Sequence, residues 1–414
     1  MNDAPMTSAM NITSPEDVGL CSQRLARIDA WRDDLVAGGR FAGVSTLVAR
    51  RGQVAHWGMS GLADKERGVR MAPDTIFRIY SMSKPITSAA IMMLYEEGRF
   101  QLDDPISRFL PAFRGSRVAV GGSRGKVETV PAERDINFRD LLTHTSGLTY
   151  GFMESTPVDA MYRDGKLADF GHPNGELMET VEKLAKLPLI AQPGKAWNYS
   201  VATDVLGALV QAISGQRFGE FLQQRIFDPL KMEDTHFIVP EEKRGRFAAN
   251  YVPHPKGGVM LFDDPATSRY LGDRKMESGG GGLASTTGDY LKFCMMMRNK
   301  GTLGHARLLG RKTVELMTMN HLGGDMGDMG QARFSESSYL GIGFGLGFSV
   351  MLDPAKAQIL GSVGEYAWGG AASTAFWVDP VEDMIVIMMT QLMPSSTYPI
   401  RKELRVLSYQ AVMD

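Results

Sequence analysis

A serine and a lysine three residues apart are the clearest candidates in this sequence for covalent chemistry. Residues 81–84 read S-M-S-K, and the apolar run that follows predicts a buried helix over residues 82–97 that ends at Gly98. Side chains three apart lie on the same face of a helix, so we expect Ser81 and Lys84 to point together while Ser83 points away. Ser81 would then be a nucleophile with a candidate base beside it.

A lysine acts as a base only where its surroundings favour the neutral amine. Lowering a lysine pKa from its reference value of ~10.4 by about three units requires ~4 kcal/mol. Burial and the positive end of a helix dipole both act in that direction. The same helix end offers backbone N–H groups to a developing oxyanion. The S-x-x-K spacing alone is common by chance, so the rest of the chain has to support it.

Further motifs follow along the chain in the order of one known superfamily. Together with S-M-S-K, the segments at 141–148 (LLTHTSGL), 193–200 (PGKAWNYS), 229–235 (PLKMEDT) and 278–283 (SGGGGL) resemble the signatures of the serine β-lactamases and penicillin-binding proteins. Residues 368–371 (WGGA) stand where that superfamily has its K-T-G strand. The resemblance spans about residue 28 to the end and is greatest to the class C β-lactamase-like esterases, the family VIII carboxylesterases.

This resemblance implies roles for individual residues. Ser81 would be the acylated nucleophile, and Tyr199 would act with Lys84 as the general base and later as the acid for the leaving alcohol. A phenol beside an ammonium is drawn toward phenolate, so one proton shared by Lys84 and Tyr199 provides a base near neutral pH. The backbone N–H groups of Ser81 and Ala371 would form the oxyanion hole.

Two positions differ from the class C pattern. Val201 stands where that class has an asparagine, and Trp368 stands where it has the lysine of its K-T-G strand. Both missing groups are polar partners of a β-lactam, and Trp368 offers an apolar wall instead. Family VIII esterases are similar at both positions, and some retain weak β-lactamase activity. We therefore expect Trp368, Gly369 and Gly370 to contact an ester substrate.

Other residues near these motifs have less specific interpretations. Tyr150 and Phe152 are expected as walls of the acyl or alcohol pocket, with ordinary core aromatics as the alternative. His144 is interpreted as a histidine that holds a loop beside the site. Asp204 is interpreted as a residue that caps or braces the helix behind Tyr199.

Two motifs suggest chemistry that their context disfavours. Residues 121–125 (GGSRG) fit the G-x-S-x-G elbow of α/β-hydrolases, which needs a buried strand before it and a helix after it. The flanking residues predict a polar hairpin instead. His321, Asp325 and Asp328 could suggest a metal site, but their Gly- and Met-rich spacing is typical of a mobile loop. We expect neither a metal nor an organic cofactor.

Composition limits the class of protein. The 414 residues carry a formal net charge of -2 with no long basic run, which argues against nucleic acid or an anionic membrane as a partner. Cys21 and Cys294 are too few for a disulfide framework, and Cys294 is expected to be an inert core thiol. No apolar run approaches the ~18 residues that span a bilayer, and the first residues lack the pattern of a secretory signal. We expect a soluble cytoplasmic protein; the sequence does not indicate its oligomeric state.

Strand patterns lie near both ends of the chain. A helix over residues 22–35 precedes a hairpin at 44–49 and 54–57, and strands at 345–352, 373–378 and 384–391 precede a closing helix at 399–413. We expect an α/β plus all-α fold: an antiparallel β-sheet flanked by helices, formed by residues 21–80 and 283–414 together. A mainly helical domain over 81–282 is inserted, a loose tail covers 1–20, and the site lies at the junction.

The predicted function is a serine hydrolase that cleaves small carboxylic esters, with short acyl chains, through an acyl-enzyme on Ser81. The alternatives are a β-lactamase or D-alanyl-D-alanine peptidase, an acyltransferase on the same scaffold, and a catalytically silent ligand-binding protein. The presence of Ser81, Lys84 and Tyr199 together argues against the last, because a binding module does not need all three.

Overall fold

A computed structural model describes residues 11–167, 175–272, 276–330, 333–334 and 337–414. Within these residues, strands β1 to β18 cover Gly43–Arg50, Gln53–Asp64, Val69–Arg70, Phe77–Arg78, Arg117–Ser123, Lys126–Pro131, Asn250–Pro253, Val259–Asp263, Ala284–Ser285, Thr302–Leu303, Ala306–Arg307, Arg333–Phe334, Ser337–Ser338, Ile342–Phe344, Ser349–Met351, Tyr366–Gly369, Ala375–Asp379 and Met384–Thr390. Helices α1 to α12 cover Ser22–Ala37, Ser83–Glu96, Phe138–Leu142, Pro157–Asp164, Leu177–Leu184, Ala202–Ser214, Phe218–Leu222, Asp228–Leu230, Thr287–Arg298, Arg311–Met317, Pro354–Ala357 and Ile400–Tyr409.

An eight-stranded antiparallel sheet joins the two ends of the chain. Its strand order is β14-β15-β16-β17-β18-β1-β2-β3. The N-terminal strand β1 therefore lies beside the C-terminal strand β18, with Val44 opposite Thr390 and Arg50 opposite Met384. The predicted antiparallel sheet flanked by helices is confirmed.

The two faces of this sheet belong to different cores. Successive side chains of a strand point to opposite faces. In β18, residues 384, 386 and 388 pack in a core with α1 and α12, whereas residues 385, 387 and 389 belong to the core that includes α2 and α6. Both faces are covered by helices, which explains the continuous apolar sequence of this strand.

Helix α2 lies inside the second of these cores. Every residue from Ser83 to Leu94 is buried, and the helix packs against α6. A helix that is apolar on all sides requires such surroundings. Across the parts of the chain that the structure describes, no helix is both long enough and apolar enough to cross a bilayer.

Two predictions about the chain's organisation need correction. Residues 1–10 of the predicted loose tail lie outside the described residues, but Val18 and Leu20 are fully buried in the core with α1, because apolar side chains gain free energy by burial. The segment 81–282 also contains a second hairpin, β7–β8, that the sequence analysis did not predict. The strands of the large sheet fall within 21–80 and 283–414, while the domain boundaries stay a prediction.

Candidate active site

Ser81 lies in a sharp turn at the start of α2. It belongs to the single 3₁₀ turn Tyr80–Met82, which leads directly into the helix. Tyr80 has a positive φ of 43°, an uncommon backbone conformation for a non-glycine residue, which persists only when the surroundings enforce it. Its hydroxyl accepts a hydrogen bond from Asn250 Nδ2 (3.0 Å). The strained turn presents the half-buried Ser81 to a cavity.

Lys84 lies below Ser81, one turn further along, and is almost completely buried. Its Nζ donates to Ser81 Oγ (3.3 Å), to the Tyr150 hydroxyl (3.0 Å) and to the Gly280 carbonyl (2.6 Å). An ammonium has three N–H donors, and these three acceptors match them. Ser83 points away, as predicted, and its Oγ accepts from Leu283 N (3.1 Å).

Tyr199 approaches the same hydroxyl from the other side. Its hydroxyl donates to Ser81 Oγ at 2.5 Å, although the two residues are 118 positions apart in sequence. Lys84 Nζ lies 4.5 Å from the centroid of the Tyr199 ring, within the range of a cation–π interaction. Ser81 Oγ is therefore in hydrogen-bonding distance of two groups, Tyr199 and Lys84, that can exchange a proton with it.

His144 packs behind Tyr199. The two ring centroids are 5.1 Å apart, and His144 Nδ1 is 3.1 Å from Ser200 Oγ. Burial, followed by the charge of Lys84, holds the pKa of His144 well below its usual value, so the imidazole stays neutral. The His144 carbonyl accepts from Asn198 N, which ties the 141–148 segment to the chain that carries Tyr199. The interpretation of His144 as a loop-holding residue is confirmed.

Tyr150 has a different position from the one expected. Among the described residues that line the cavity, Phe152 is present and Tyr150 is not. The Tyr150 hydroxyl lies behind Lys84 as its hydrogen-bond partner, and the ring stacks on Phe152 at 4.6 Å. Burial raises the pKa of Tyr150 well above its usual value, so it remains a neutral phenol. Sequence reasoning missed this contact, because nothing local to residue 150 indicates it.

The glycine-rich segment 278–282 provides the remaining partner of Lys84. Asp204, in the first turn of α6, accepts hydrogen bonds from Ser278 Oγ (2.5 Å) and Gly280 N (3.1 Å). Thr87 Oγ1, on α2, donates to Gly279 O (2.9 Å). These bonds hold the loop so that the Gly280 carbonyl faces Lys84. Asp204, in the first turn of α6, therefore braces this loop, a contact that its predicted role as a cap or brace of the helix did not include.

The cavity beside Ser81 has a volume of about 310 Å³. Its lining includes Ser81, Tyr199 and Phe152 on one side and residues 368–371 on the other, with apolar side chains predominating. Trp368 lies between the rings of Tyr199 (5.6 Å) and Phe344 (5.3 Å). The structure thus brings Trp368, Gly369, Gly370 and Ala371 to the same cavity as Ser81, as the motif order predicted.

The other candidate motifs lie outside this cavity. Residues 117–131 form an exposed antiparallel hairpin, so the G-x-S-x-G motif has neither the buried strand nor the helix of a nucleophile elbow. Asp325 pairs with Lys356 at 2.6 Å, and His321 Nε2 contacts the Leu316 carbonyl. In the described ranges, no three His, Cys, Asp or Glu side chains are grouped as metal ligands. Cys294 is fully buried, and burial raises its thiol pKa.

Comparisons with known proteins agree with this geometry. The family model described as Beta-lactamase matches residues 28–411. Protein Rv1367c of Mycobacterium tuberculosis (strain ATCC 25618 / H37Rv) is 36% identical over 362 residues, which cover 86% of this chain and 87% of that protein. Esterase EstB of Burkholderia gladioli is 32% identical over 389 residues, which cover 88% of this chain and 90% of that protein.

A solved structure supports the same conclusion. The protein described as "EstCE1, a hydrolase with promiscuous acyltransferase activity" superposes with a TM-score of 0.79 at 28% sequence identity. The superposition covers 94% of this chain and 99% of that one. The resemblance inferred from the motifs is therefore confirmed, and the chain belongs to the β-lactamase family of serine hydrolases.

Proposed function

We propose that the protein is a carboxylesterase that forms an acyl-enzyme on Ser81. The observation that carries this proposal is the convergence on Ser81 Oγ of the Tyr199 hydroxyl at 2.5 Å and Lys84 Nζ at 3.3 Å, at the wall of an apolar cavity. A nucleophile with a positioned base and an adjacent space for a substrate is the arrangement that acyl transfer requires.

The acylation step can be written with these groups. Lys84 and Tyr199 share one proton and act together as the base. Ser81 Oγ attacks the ester carbonyl carbon while its proton passes to the Tyr199 oxygen. The tetrahedral oxyanion accepts hydrogen bonds from the N–H groups of Ser81 and Ala371. The bond to the alcohol oxygen then breaks, and Tyr199 returns its proton to the leaving alcohol. Water repeats the sequence on the acyl-enzyme.

The cavity lining favours neutral esters over β-lactams. Trp368 occupies the position of the class C lysine, so a substrate carboxylate lacks that cation and meets an indole instead. The volume of about 310 Å³ lies at the lower end of small-molecule sites and suits a small ester with a short acyl chain. The similarity to a protein named esterase supports the same choice. A cytoplasmic location remains a prediction from the sequence.

A fluorophosphonate probe, which forms a stable adduct with an activated serine, tests the nucleophile. We expect the wild type to be labelled and Ser81→Ala to remain unlabelled. Ser123→Ala is the matched control, because Ser123 is the exposed serine of the G-x-S-x-G motif and its loss should leave labelling unchanged. Labelling that persists in Ser81→Ala would reject the proposed nucleophile.

A pair of substrates tests the reaction class. We expect a nitrophenyl ester of a short acid to be hydrolysed at least about 100-fold faster than a cephalosporin reporter, measured as kcat/KM, because Trp368 replaces the class C lysine that binds the β-lactam carboxylate. Comparable rates on the two compounds would favour the β-lactamase alternative. Preferential transfer of the acyl group to an added alcohol would favour the acyltransferase alternative.

A further inference from the structure

Arg401 contacts the main chain of the turn that carries Ala371. It lies in the first turn of α12, and its Nη2 donates to the Gly370 carbonyl (2.8 Å) and the Thr374 carbonyl (3.0 Å). The side chain also lines the cavity that contains Ser81. Both bonds come from one nitrogen of a planar, permanently charged guanidinium, whose two N–H groups have fixed directions, so the two carbonyl oxygens are held in a defined geometry.

The turn between β16 and β17 needs such support because its own hydrogen bonds are few. Gly370 N donates to Thr374 O (2.9 Å), and Ser373 N donates to Gly370 O (3.1 Å). Ser373 has a positive φ of 67°, which is strained for a residue with a side chain, and its Oγ donates to Leu392 O (2.7 Å). The conformation of this turn therefore depends on contacts from outside it.

The Gly370 carbonyl and the Ala371 N–H belong to the same peptide unit. In a planar trans peptide, C=O and N–H point in opposite directions. Because Arg401 binds the oxygen, the N–H of Ala371 is directed away from Arg401. The guanidinium charge also polarises this peptide, which makes its N–H a stronger donor. A charged donor on the oxygen thus both orients and strengthens the amide.

This peptide lies directly against the segment that leads to Ser81. A Cβ atom added at Gly370 would be only 2.4 Å from the carbonyl oxygen of Ile79, two residues before Ser81. Any rotation of the Gly370–Ala371 peptide would therefore change the distance between the Ala371 amide and the nucleophile.

We propose that Arg401 is a positioning residue of the oxyanion hole, which orients and polarises the Ala371 amide through the Gly370 carbonyl. This proposal rests on the proposed function, since it assumes that the Ala371 N–H meets the oxyanion. Arg401 acts through the peptide and does not contact the reacting atoms.

The test compares Arg401→Lys and Arg401→Ala with wild type, using an ester and a boronic acid that forms a tetrahedral adduct on the serine. Losing one oxyanion donor outright lowers kcat by about 100- to 1,000-fold, so misorienting one should lower it by about 10- to 100-fold. We expect KM to change little, and the affinity for the boronic acid to fall in parallel with kcat/KM. Arg401→Lys keeps the charge but not the planar group that fixes the directions of the N–H donors, so its loss should be smaller than that of Arg401→Ala.

Arg99→Lys and Arg99→Ala are the matched controls, because Arg99 also donates to a main-chain carbonyl, that of Ile213 at 2.7 Å. A thermal melt of each variant separates misfolding from misorientation, and Arg401→Lys provides the comparison if Arg401→Ala does not fold. Unchanged boronic acid affinity in a folded Arg401 variant would overturn the inference. If the fluorophosphonate probe does not label the wild type, the proposed function itself is overturned. If only the inference about Arg401 is wrong, the wild type is still labelled, so the two failures are distinguishable.

Discussion

The two sides of the cavity are constructed differently. On one, the Tyr199 side, Lys84 from helix α2 and Tyr199 from the segment before α6 meet Ser81 through their side chains, and Tyr150 and Gly280 complete the partners of Lys84. On the other, the Trp368 side, residues 368–371 present an indole and the main chain of a glycine-rich strand end. The first side is polar and almost fully buried, whereas the second is mainly apolar and half-buried.

Because of this difference, we expect proton transfer to depend on the Tyr199 side and substrate preference to depend on the side chains of the Trp368 side. A buried ammonium is stable only if hydrogen bonds replace its lost hydration, so each partner of Lys84 has to be fixed. An apolar wall has no such requirement and tolerates other side chains. Changes on the Tyr199 side should therefore reduce the rate for every ester, as should a disturbance of the Ala371 amide. Changes of the Trp368 side chain should instead alter the relative rates of different esters.

The largest loss of activity is expected from removing Ser81, the nucleophile, or Lys84, which acts with Tyr199 as its base. Ser81→Ala and Lys84→Ala should each lower kcat/KM by at least about 1,000-fold, because nucleophile and base act as a unit. The thermal melts should show that both variants fold. Lys292→Ala is the matched control, since Lys292 is also largely buried and paired with a carboxylate, Asp289, away from the site. A Lys84→Ala variant with more than about a tenth of the wild-type rate would contradict the proton-transfer scheme.

A smaller but general loss is expected from Gly280→Ala. The added Cβ would lie 2.9 Å from Asp204 Oδ2 and 3.0 Å from the Tyr150 hydroxyl, both of which are buried. The loop has to shift, and the carbonyl that accepts from Lys84 shifts with it. We expect kcat/KM to fall by about 10- to 100-fold for short and long esters alike, because a displacement of about 1 Å near the reacting groups can cost about 100-fold in rate.

Gly245→Ala serves as the control for this change, since a Cβ at that exposed glycine has open space around it. Rates that fall for one ester and not for another would show that the 278–282 loop contacts substrate rather than Lys84. The Tyr199 side would then contribute to substrate preference as well as to proton transfer.

The sequence predicts the contacts of this site that are local along the chain better than those between distant segments. Ser81 and Lys84 are three residues apart at the start of a helix, so local geometry alone brings them together. Tyr199 was located only by the order of motifs that the chain shares with a known superfamily. The fold class followed from strand patterns near both ends and helical patterns between them, because two strand-rich ends can share one sheet with helices packed on it.

The contacts that sequence reasoning missed all join distant segments. Tyr150 and Gly280 reach Lys84 across 66 and 196 positions, and Arg401 reaches Gly370 from the last helix. Tertiary packing sets these distances, and no local periodicity records them.

Substrate preference should respond to Trp368→Lys. An ammonium on the Trp368 side would attract anionic esters, and a partly buried ion pair is worth about 1 kcal/mol, or about fivefold in kcat/KM. The measured quantity is the ratio of rates on a carboxylate-bearing ester and its neutral analogue. Val381→Lys adds the same charge at an exposed position and should leave the ratio unchanged. An unaltered ratio in Trp368→Lys would mean that this position does not contact the bound ester.

The last prediction concerns the pH dependence of stability on the Tyr199 side. The pKa of His144 is held well below its usual value by burial and by Lys84, so the folded protein keeps the imidazole neutral while the unfolded chain protonates it below about pH 6.5. The unfolded state then binds more protons, and the free energy of unfolding decreases as the pH falls, by up to about 1.4 kcal/mol per pH unit.

Replacing this histidine should remove that contribution. His144→Asn suits the positive φ of 56° at this position, because asparagine tolerates the left-handed region. Urea denaturation between about pH 5 and pH 7 should show a slope smaller by up to about one proton than in wild type. His305→Asn, at an exposed position, is the control and should keep the wild-type slope. Equal slopes in wild type and His144→Asn would show that the His144 imidazole is not held neutral. It would then become protonated in the folded protein despite its burial.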